Sequence, residues 1–482
     1  MNIKNIYSLI FVFFCCGLFL PAQDAKSAER LMQVPTLIQI SSKVSDGRLE
    51  LSEIVSAAKK SGMKAVIFTD RDIMRWEYGV WPLRNIVKKA VVNNSIAVCG
   101  MKKYLGAIER LQEGNPDMVL IPGVETTPFY YWSGSLFRLN MALHNAHKHM
   151  LVFGFNKASQ FKNLPTVNNR FTAYNKFGFL DILLLWPILI IVWGLSLFRK
   201  EMRFLGVGIF ALGVLFAINN LPFKKPLFDQ YHGQQGVLPY QALIDYVNTE
   251  QGLSFWAHPE AEYELKTDHV TVITKEHSQD LLQTHGYSGF CVFPEGYKLV
   301  GKPGGIWDTV LSEYVNGKRK YPVWAIGGLA YDYYGDIEKD LKILRNVVLV
   351  DKLDQANVLK SIKEGSLYVV RGEMSSEFVM NKFEAVDTYY SLRKTMGQTL
   401  KLKGDAPLIR IDCGFNDNRE QELNIKLISN GKLIKIFKQK TPVNIKYVDI
   451  DFVKQQKAYY RVEITGKGLH VITNPIFVEK KG

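Results

Sequence analysis

Two long apolar stretches lie in the middle of the chain, at residues 177–198 and 202–223. Each has about the length that a helix needs to cross a bilayer. The connector at residues 199–203 is basic, so the positive-inside rule places it in the cytoplasm. The pattern predicts a transmembrane hairpin of two helices with both flanking parts outside. The alternative, a buried core hairpin, would need about twenty nearly uncharged residues twice in succession.

The first residues agree with this orientation. Residues 1–28 contain Lys4, an apolar core at residues 6–20, and then Pro21 followed by small residues. This is the pattern of a secretory signal peptide, cleaved near Ala22 or Ala25 or else retained as an anchor. We expect an inner-membrane protein of a bacterial-type cell envelope, with its soluble parts on the periplasmic side.

The length and composition of the chain argue against several classes of protein. The chain has 482 residues, which is too long for one ordinary domain. Its net charge of +14 comes from scattered Lys and Arg without an arginine-rich arm, so a basic surface near anionic lipid is favoured over nucleic-acid binding. Five cysteines without C-x-x-C spacing argue against a disulfide scaffold or a zinc knuckle.

Residues 37–72 read as a strand, a turn, a helix and a second strand. Ser45-Asp46-Gly47 is a turn signature, and Gly62 ends the helix that follows it. The apolar run at residues 65–68 leads into Thr69-Asp70-Arg71-Asp72. Polar groups therefore collect at the C-terminal ends of two successive strands, where α/β folds usually place their sites.

This stretch resembles the opening of the PHP (polymerase and histidinol phosphatase) family of metal-dependent phosphoesterases. That opening reads His-x-His, then Ser-Asp-Gly, then Thr-Asp-His-Asp. The spacing fits, and Asp46 matches the Asp of Ser-Asp-Gly. The histidines are replaced, because Gln39 and Ser41 stand at His-x-His and Arg71 stands at the His of Thr-Asp-His.

Three later motifs support the same resemblance. Glu125 matches the family's Gly-x-Glu, whose Glu bridges metals, and His258 matches its Ala-His-Pro, whose His is a ligand. His149 begins a run similar to His-Ile-Leu-Gly-Leu, although a surface or hydrogen-bonded role is the alternative for this histidine. The last motif, Gly-Ser-Asp-x-His, is altered, with Ala330 in place of the ligand Asp and Asp332 in place of the His.

The resemblance implies an α/β fold, a distorted (β/α)7 barrel with its site at the C-terminal ends of the strands. Its two parts would be residues 29–176 and 224–384, separated by the transmembrane hairpin at 177–223. From 385 to 482 the texture changes to short alternating strands, with Asn430-Gly431 as a hairpin signal. We expect a C-terminal all-β, immunoglobulin-like sandwich there.

By the same resemblance, the retained side chains are candidate ligands for a metal that would lower the pKa of an attacking water. The candidate ligands are Asp46, Glu125, His149 and His258, with Asp332 added if the register slips. They could hold one divalent ion, Mn, Fe or Zn, or none. Asp46, Arg71 and Glu125 are the candidate catalytic residues.

Arg71 weighs against a metal, because a guanidinium beside a metal cluster would repel the ions. In a metal-free site Arg71 could pair with Asp46 or Glu125. It could alternatively bind an anionic ligand such as a phosphate or a sugar acid, together with Gln39 and Ser41.

Our leading hypothesis is an exported, membrane-anchored PHP-like protein with an eroded metal site, which binds an acidic or phosphorylated small ligand or an envelope protein. The rival is an active phosphoesterase with a reduced metal set, in which Arg71 clamps phosphate. A third hypothesis makes the β-sandwich the functional part. Whether the chain is an enzyme stays open at this point.

Overall fold

The computed structural model describes residues 31–167, 179–198, 202–220, 227–330, 336–372 and 378–481. The predicted signal segment at 1–28 lies outside these ranges. The strands are β1 Met32–Ile40, β2 Ala65–Arg71, β3 Arg75–Gly79, β4 Lys88–Val92, β5 Val119–Thr126, β6 Tyr131–Ser133, β7 Met141–His144, β8 Met150–Phe153, β9 Leu253–Trp256, β10 Tyr263–Lys266, β11 Val270–Thr274, β12 Gly289–Phe293, β13 Trp324–Gly327, β14 Leu344–Val350, β15 Leu367–Gly372, β16 Phe378–Asp387, β17 Leu392–Thr395, β18 Thr399–Leu402, β19 Leu408–Phe415, β20 Glu422–Ser429, β21 Lys432–Lys440, β22 Val443–Val448, β23 Lys457–Gly466, β24 Leu469–Thr473 and β25 Ile476–Lys480. The α-helices are α1 Leu51–Lys60, α2 Ile96–Cys99, α3 Met101–Glu113, α4 Ala158–Lys162, α5 Trp186–Phe198, α6 Arg203–Asn220, α7 Leu238–Thr249, α8 Asp280–Gln283, α9 Ile306–Val315, α10 Ile337–Ile343 and α11 Gln355–Glu364.

Seven strands form an arc in the order β13-β12-β9-β8-β5-β2-β1. Most neighbours in this arc are parallel, but β8 runs antiparallel to both β5 and β9. The ends of the arc meet, because the Leu329 N–H donates to the Ile38 carbonyl at 2.9 Å. The Asn346 amide on β14 also bridges to the Gly327 N–H and carbonyl at 2.7 and 2.8 Å. The described residues thus form a mixed α/β fold with barrel-type closure.

Side chains alternate between the two faces of the arc, as the pleat of a strand requires. On β2, Ala65 and Ile67 belong to a core inside the arc. Val66 and Phe68 belong to a second core outside it, which includes residues of the surrounding helices. The same alternation continues through Thr69 to Arg71 at the end of β2, so the barrel interior leads to the residues of the candidate site.

The apolar middle of the chain forms a pair of packed helices, α5 and α6. Of the described helices, α6 alone has the length and apolar composition to span a bilayer, and Ile182–Leu197 is a shorter apolar segment. The helices approach closely at Gly194, where an added Cβ would lie 2.5 Å from the Phe210 backbone nitrogen. Only 17% of the apolar window of α6 is buried, which does not fit a core hairpin. Membrane crossing itself stays a prediction.

The C-terminal strands do not form a separate module. One sheet has the order β17-β16-β19-β22, and the facing strands continue the barrel sheet through β15-β24-β23-β20-β21. The core between these layers includes Tyr368 and Val370, which belong to β15. The predicted domain boundary at residue 385 falls inside β16, which starts at Phe378, and the division into domains stays a prediction. The change in residue pattern along the sequence could not reveal that β15, a strand next to the barrel, also packs in the core of the C-terminal sheets.

The predicted hairpin at Asn430-Gly431 is confirmed. Ser429 on β20 pairs with Lys432 on β21, and the two turn residues have φ values of +47° and +76°. Positive φ at both positions is what the tight turn of a two-residue hairpin requires. Further along the chain, β22 ends at Val448, and a short 3-10 helix follows at Ile450–Lys454.

A buried ion pair joins the two parts of the chain. Asp308 on α9 accepts hydrogen bonds from Arg461 Nε and Nη2 on β23 at 2.8 and 2.7 Å. The Tyr459 hydroxyl donates to the same carboxylate at 2.8 Å. The Arg461 and Asp308 side chains are 0% and 2% exposed, so neither charge has water as an alternative partner. The pair therefore fixes the C-terminal strands against the barrel.

Removing one partner of this pair should be costly. We expect Arg461→Met to lower the free energy of unfolding by about 3–5 kcal/mol, because Asp308 would keep a buried, uncompensated charge. Lys457→Met is the matched control on the same strand, since its ion pair with Glu479 is half exposed, and it should change stability by less than about 1 kcal/mol. Urea unfolding of both variants measures the difference, and equal effects would contradict the assignment.

Candidate functional site

Three inward-facing positions deliver polar side chains to one end of the barrel. Arg71 is the last residue of β2, and Glu125 is the next-to-last residue of β5. The two residues are register partners across the β2/β5 pair. His149 immediately precedes β8, whose antiparallel direction brings its start to the same end. The alternation that buries apolar side chains deeper in the barrel thus also makes these three converge.

The turn that carries Asp46 is fixed by hydrogen bonds to the carboxylate of Asp70. The Asp70 carboxylate accepts from the Ser42 N–H, the Ser42 hydroxyl and the Ser45 hydroxyl at 2.7, 2.9 and 2.7 Å. Gly47 is required there, because a Cβ would lie 2.3 Å from the Ser41 carbonyl oxygen. Burial raises the pKa of Asp70, and these hydrogen bonds act against that shift. These hydrogen bonds fix the Ser-Asp-Gly turn and so position the side chain of Asp46.

Arg71 occupies the centre of the site. Its Nη1 lies 2.7 Å from Glu125 Oε1 and 2.6 Å from His149 Nδ1, and its Nε donates to Asp46 Oδ2 at 3.0 Å. The Arg71 side chain is 19% exposed and that of Glu125 only 3%. Charge-assisted bonds of this length between a guanidinium and carboxylates are among the stronger polar contacts in proteins.

The tautomer of His149 follows from its neighbours. Arg71 can only donate, so His149 Nδ1 must accept. The ring proton is then on Nε2, which faces the Ala146 carbonyl at 3.1 Å. Burial, together with the charge of Arg71, lowers the pKa of His149 to about 3, so the imidazole is neutral. The lone pair of Nδ1 therefore points into the site.

Gln39 lies on the opposite side of Glu125. Its Nε2 donates to Glu125 Oε2 at 3.2 Å, and its Oε1 faces the Cys291 sulfur at 3.8 Å. Gln39 has a φ of +65° at an irregularity between β1 and β2, a conformation that turns its side chain toward the site. Ser41 is half-buried just after β1. The predicted ligand-binding residue Gln39 thus serves as a hydrogen-bond partner of Glu125.

Burial and the Arg71 charge compete in setting the carboxylate pKa values. Burial alone would raise the pKa of Glu125, but the charge of the Arg71 guanidinium holds it well below its usual range. For Asp46, burial again raises the pKa, and the charge and hydrogen bond of Arg71 outweigh it. Both carboxylates are therefore ionised near neutral pH, with one guanidinium between them.

Glu125, His149 and His258 form a group that could hold a metal ion. Glu125 Oε1 is 2.9 Å from His149 Nδ1 and 3.5 Å from His258 Nε2, and the two histidine nitrogens are 3.1 Å apart. Ligands around a tetrahedral ion with bonds of about 2.0–2.1 Å are separated by about 3.3–3.4 Å. The donor set fits one divalent ion, but Arg71 Nη1 lies within 2.7 Å of two of the three ligand atoms. An ion could enter only if the guanidinium moved away.

The structure brings together most of the residues singled out by the sequence, namely Gln39, Asp46, Arg71, Glu125, His149 and His258. Asp46 binds Arg71 and does not belong to the three-residue group above. Asp332 lies outside the described residues, and its role as a ligand stays a prediction. The sequence analysis did not assign Asp70 its role in holding the turn that carries Asp46, although its position in Thr-Asp-Arg-Asp indicated a residue at the site.

The similarities to known proteins are with solved structures. No protein-family model matches the chain, and no curated protein matches it. A two-domain protein from Bacteroides vulgatus, described as containing a predicted PHP-like metal-dependent phosphoesterase, is 12% identical, with a TM-score of 0.35 over 92% of this chain and 95% of that one. A proposed metal-dependent phosphoesterase from Bifidobacterium adolescentis is 14% identical, with a TM-score of 0.29 over 68% and 94%. The function of this chain has to be argued from its own residues.

Asp72, beside Arg71, should give the protein a measurable pH dependence. Burial raises the pKa of Asp72 from 3.8 to about 7, although Thr126 and the Ile73 N–H donate to it. Between these values the folded protein holds a proton that the unfolded chain releases, so stability falls by about 1.4 kcal/mol per pH unit from this group. We expect Asp72→Asn to remove this slope between about pH 4 and pH 7.

The measurement is the free energy of unfolding as a function of pH for the wild type and the variant. Asp117→Asn is the control, since the Asp117 side chain is 46% exposed and pairs with Lys59. It should leave the slope over this pH range unchanged. An Asp72→Asn protein with the wild-type slope would show that Asp72 is ionised in the folded state.

Proposed function

We propose that this chain is a PHP-like protein in which the guanidinium of Arg71 takes the place of the catalytic metal, and that it binds a ligand rather than hydrolysing phosphate esters. One observation carries the proposal. Arg71 Nη1 sits between Glu125 Oε1 and His149 Nδ1, two atoms that a metal would need as ligands. The positive charge of Arg71 compensates the buried negative charge of Glu125, as a metal ion would.

The cost of adding an ion supports this reading. Two positive unit charges about 4 Å apart repel by about 4 kcal/mol at an effective dielectric constant of 20, and a divalent ion would feel more. The alternative, moving Arg71 out, would break its bonds to Asp46 and Glu125 at 3.0 and 2.7 Å. Either route weakens metal binding by about a thousandfold or more.

The same residue offers a way to bind an anionic ligand. The Nε and Nη1 hydrogens are directed to Asp46, Glu125 and His149. A guanidinium has five N–H donors, so the two on Nη2 could meet a phosphate or carboxylate group. An acidic or phosphorylated small ligand is the occupant we propose, with an envelope protein as the other candidate partner.

We place the protein at a bacterial-type inner membrane, with the barrel on the periplasmic side. The apolar helix α6 supports this location, since Phe204 is 97% exposed and most of its other large side chains are uncovered. Apolar side chains of this number are stable on a helix surface when lipid surrounds them. The basic connector and the predicted signal segment give the orientation.

The second candidate is a phosphoesterase with one metal ion held by Glu125, His149 and His258. The separations of 2.9, 3.1 and 3.5 Å between their ligand atoms favour it. A bound ion would supply a Lewis acid for the phosphate. Arg71 would then pivot toward Asp46 and orient the phosphate with its remaining donors.

Metal analysis of the purified chain separates these two functions. We expect the wild type to bind Mn, Fe or Zn substoichiometrically, and Arg71→Met to bind about one equivalent of Zn with a Kd lower by on the order of a thousandfold. The gained ion should disappear in Arg71→Met combined with Glu125→Ala. Stoichiometric metal in the wild type that is lost in both Glu125→Ala and His258→Ala would instead establish the one-metal enzyme.

Phosphatase assays test turnover on the same samples. We expect the wild type to hydrolyse p-nitrophenyl phosphate no faster than Glu125→Ala, with or without added Mn or Zn, because Arg71 occupies the place of the ion that would activate water. Arg71→His, which restores the family's residue, should show whether a metal alone is enough to give turnover. Wild-type activity that is abolished by chelation and by Glu125→Ala would overturn the binding-protein proposal.

A further inference from the structure

A large apolar cleft lies beside the candidate site. Its volume is about 930 Å³, and strands of three hairpins line it: β3–β4, β6–β7 and β10–β11. The lining includes Trp76, Tyr78, Trp132, Leu143, Val270 and Val272. Clefts of this size that are lined mainly by apolar and aromatic side chains are typical of sites for small apolar ligands.

The cleft also contains cationic groups. Lys88 and Lys89 on β4 both belong to its lining, and Lys88 is 3.2 Å from the carboxylate of Glu77. Lys89 is exposed. An apolar cleft with lysines in its wall is complementary to a molecule that has a long apolar chain and an anionic head group.

The position of the cleft favours a lipid as that molecule. The loop between β3 and β4 is bonded to the end of the apolar helix α6, where the Asn85 N–H and side chain donate to Asn219 at 3.0 and 2.7 Å. Trp81 in the same loop is 75% exposed, and Phe137, next to the lining residue Leu136, is 95% exposed. Exposed aromatic side chains beside an apolar helix end are typical of a membrane surface.

One wall of the cleft adjoins the Arg71 pocket. His147 belongs to the lining, and its ring centroid is 5.7 Å from that of His149. Tyr263, also in the lining, packs on His147 with centroids 3.8 Å apart. The side chain of His147 therefore separates a molecule in the cleft from His149 in the candidate site.

We propose that this cleft binds the acyl chain of a single-chain lipid with an anionic phosphate head group, which Lys88 and Lys89 hold. The apolar wall takes the chain, and the two lysines take the head group. This binding does not depend on whether Arg71 or a metal ion is the cation in the neighbouring pocket.

Native mass spectrometry of the full chain, released from phosphatidylcholine nanodiscs, tests the proposal with palmitoyl lysophosphatidic acid as the probe. We expect one molecule of the probe per wild-type chain. Val272→Trp should abolish this binding by filling the cleft, whereas Val448→Trp, the same substitution at an exposed position of β22, should leave it intact. Equal binding by wild type and Val272→Trp would overturn the proposal.

A second variant keeps the test decisive if Val272→Trp does not fold. Lys89 is exposed, so Lys89→Gln leaves the core untouched. It should weaken binding of lysophosphatidic acid by about fivefold and leave binding of palmitoyl lysophosphatidylcholine unchanged. Wild-type binding that is equal for the two lipids, or a Lys89→Gln variant with unchanged preference, would refute a site for an anionic lipid.

Discussion

The site depends on a single guanidinium placed among groups that could not share a buried pocket without it. Glu125 is almost fully buried, Asp46 is close by, and both are ionised. Two carboxylates so near one another would repel, and the neutral imidazole of His149 cannot compensate them. Arg71 supplies the positive charge and also three directed hydrogen bonds. A pocket with three potential metal ligands can thus be kept in shape by a side chain of the protein itself.

Much of this site could be predicted from the sequence, because it is built on local patterns. The turn at Ser45-Asp46-Gly47 and the alternation along β2 and β5 place Asp46, Arg71 and Glu125 at one end of the barrel. Pairing with Asp46 or Glu125 was one of the two roles that the sequence suggested for Arg71, beside binding an anionic ligand, and Arg71 contacts both carboxylates. Its bond to His149 was not predictable, since it depends on β8 running antiparallel to its neighbours.

Other features depend on distant contacts and left no signal in the sequence. The cleft is lined by three hairpins separated by long segments of chain, and none of them carries a motif. The inter-strand bridge of Asn346 and the buried pair of Asp308 with Arg461 likewise join positions far apart in sequence. Periodicity identifies the strands, but only the fold decides which strand edges meet. For this reason the sequence indicated the C-terminal strands but not their pairing with the barrel sheet.

That connection has a consequence for how the protein can be divided. β15 pairs with β14 of the barrel on one edge and with β24 of the C-terminal part on the other. A fragment that ended before the last strands would leave the N–H and C=O groups of β15 facing solvent on an edge whose first four residues, at 367–370, are apolar. Such edges recruit strands from other molecules. Neither half is therefore a natural unit for expression, because each would expose the edge of β15 that the other half covers.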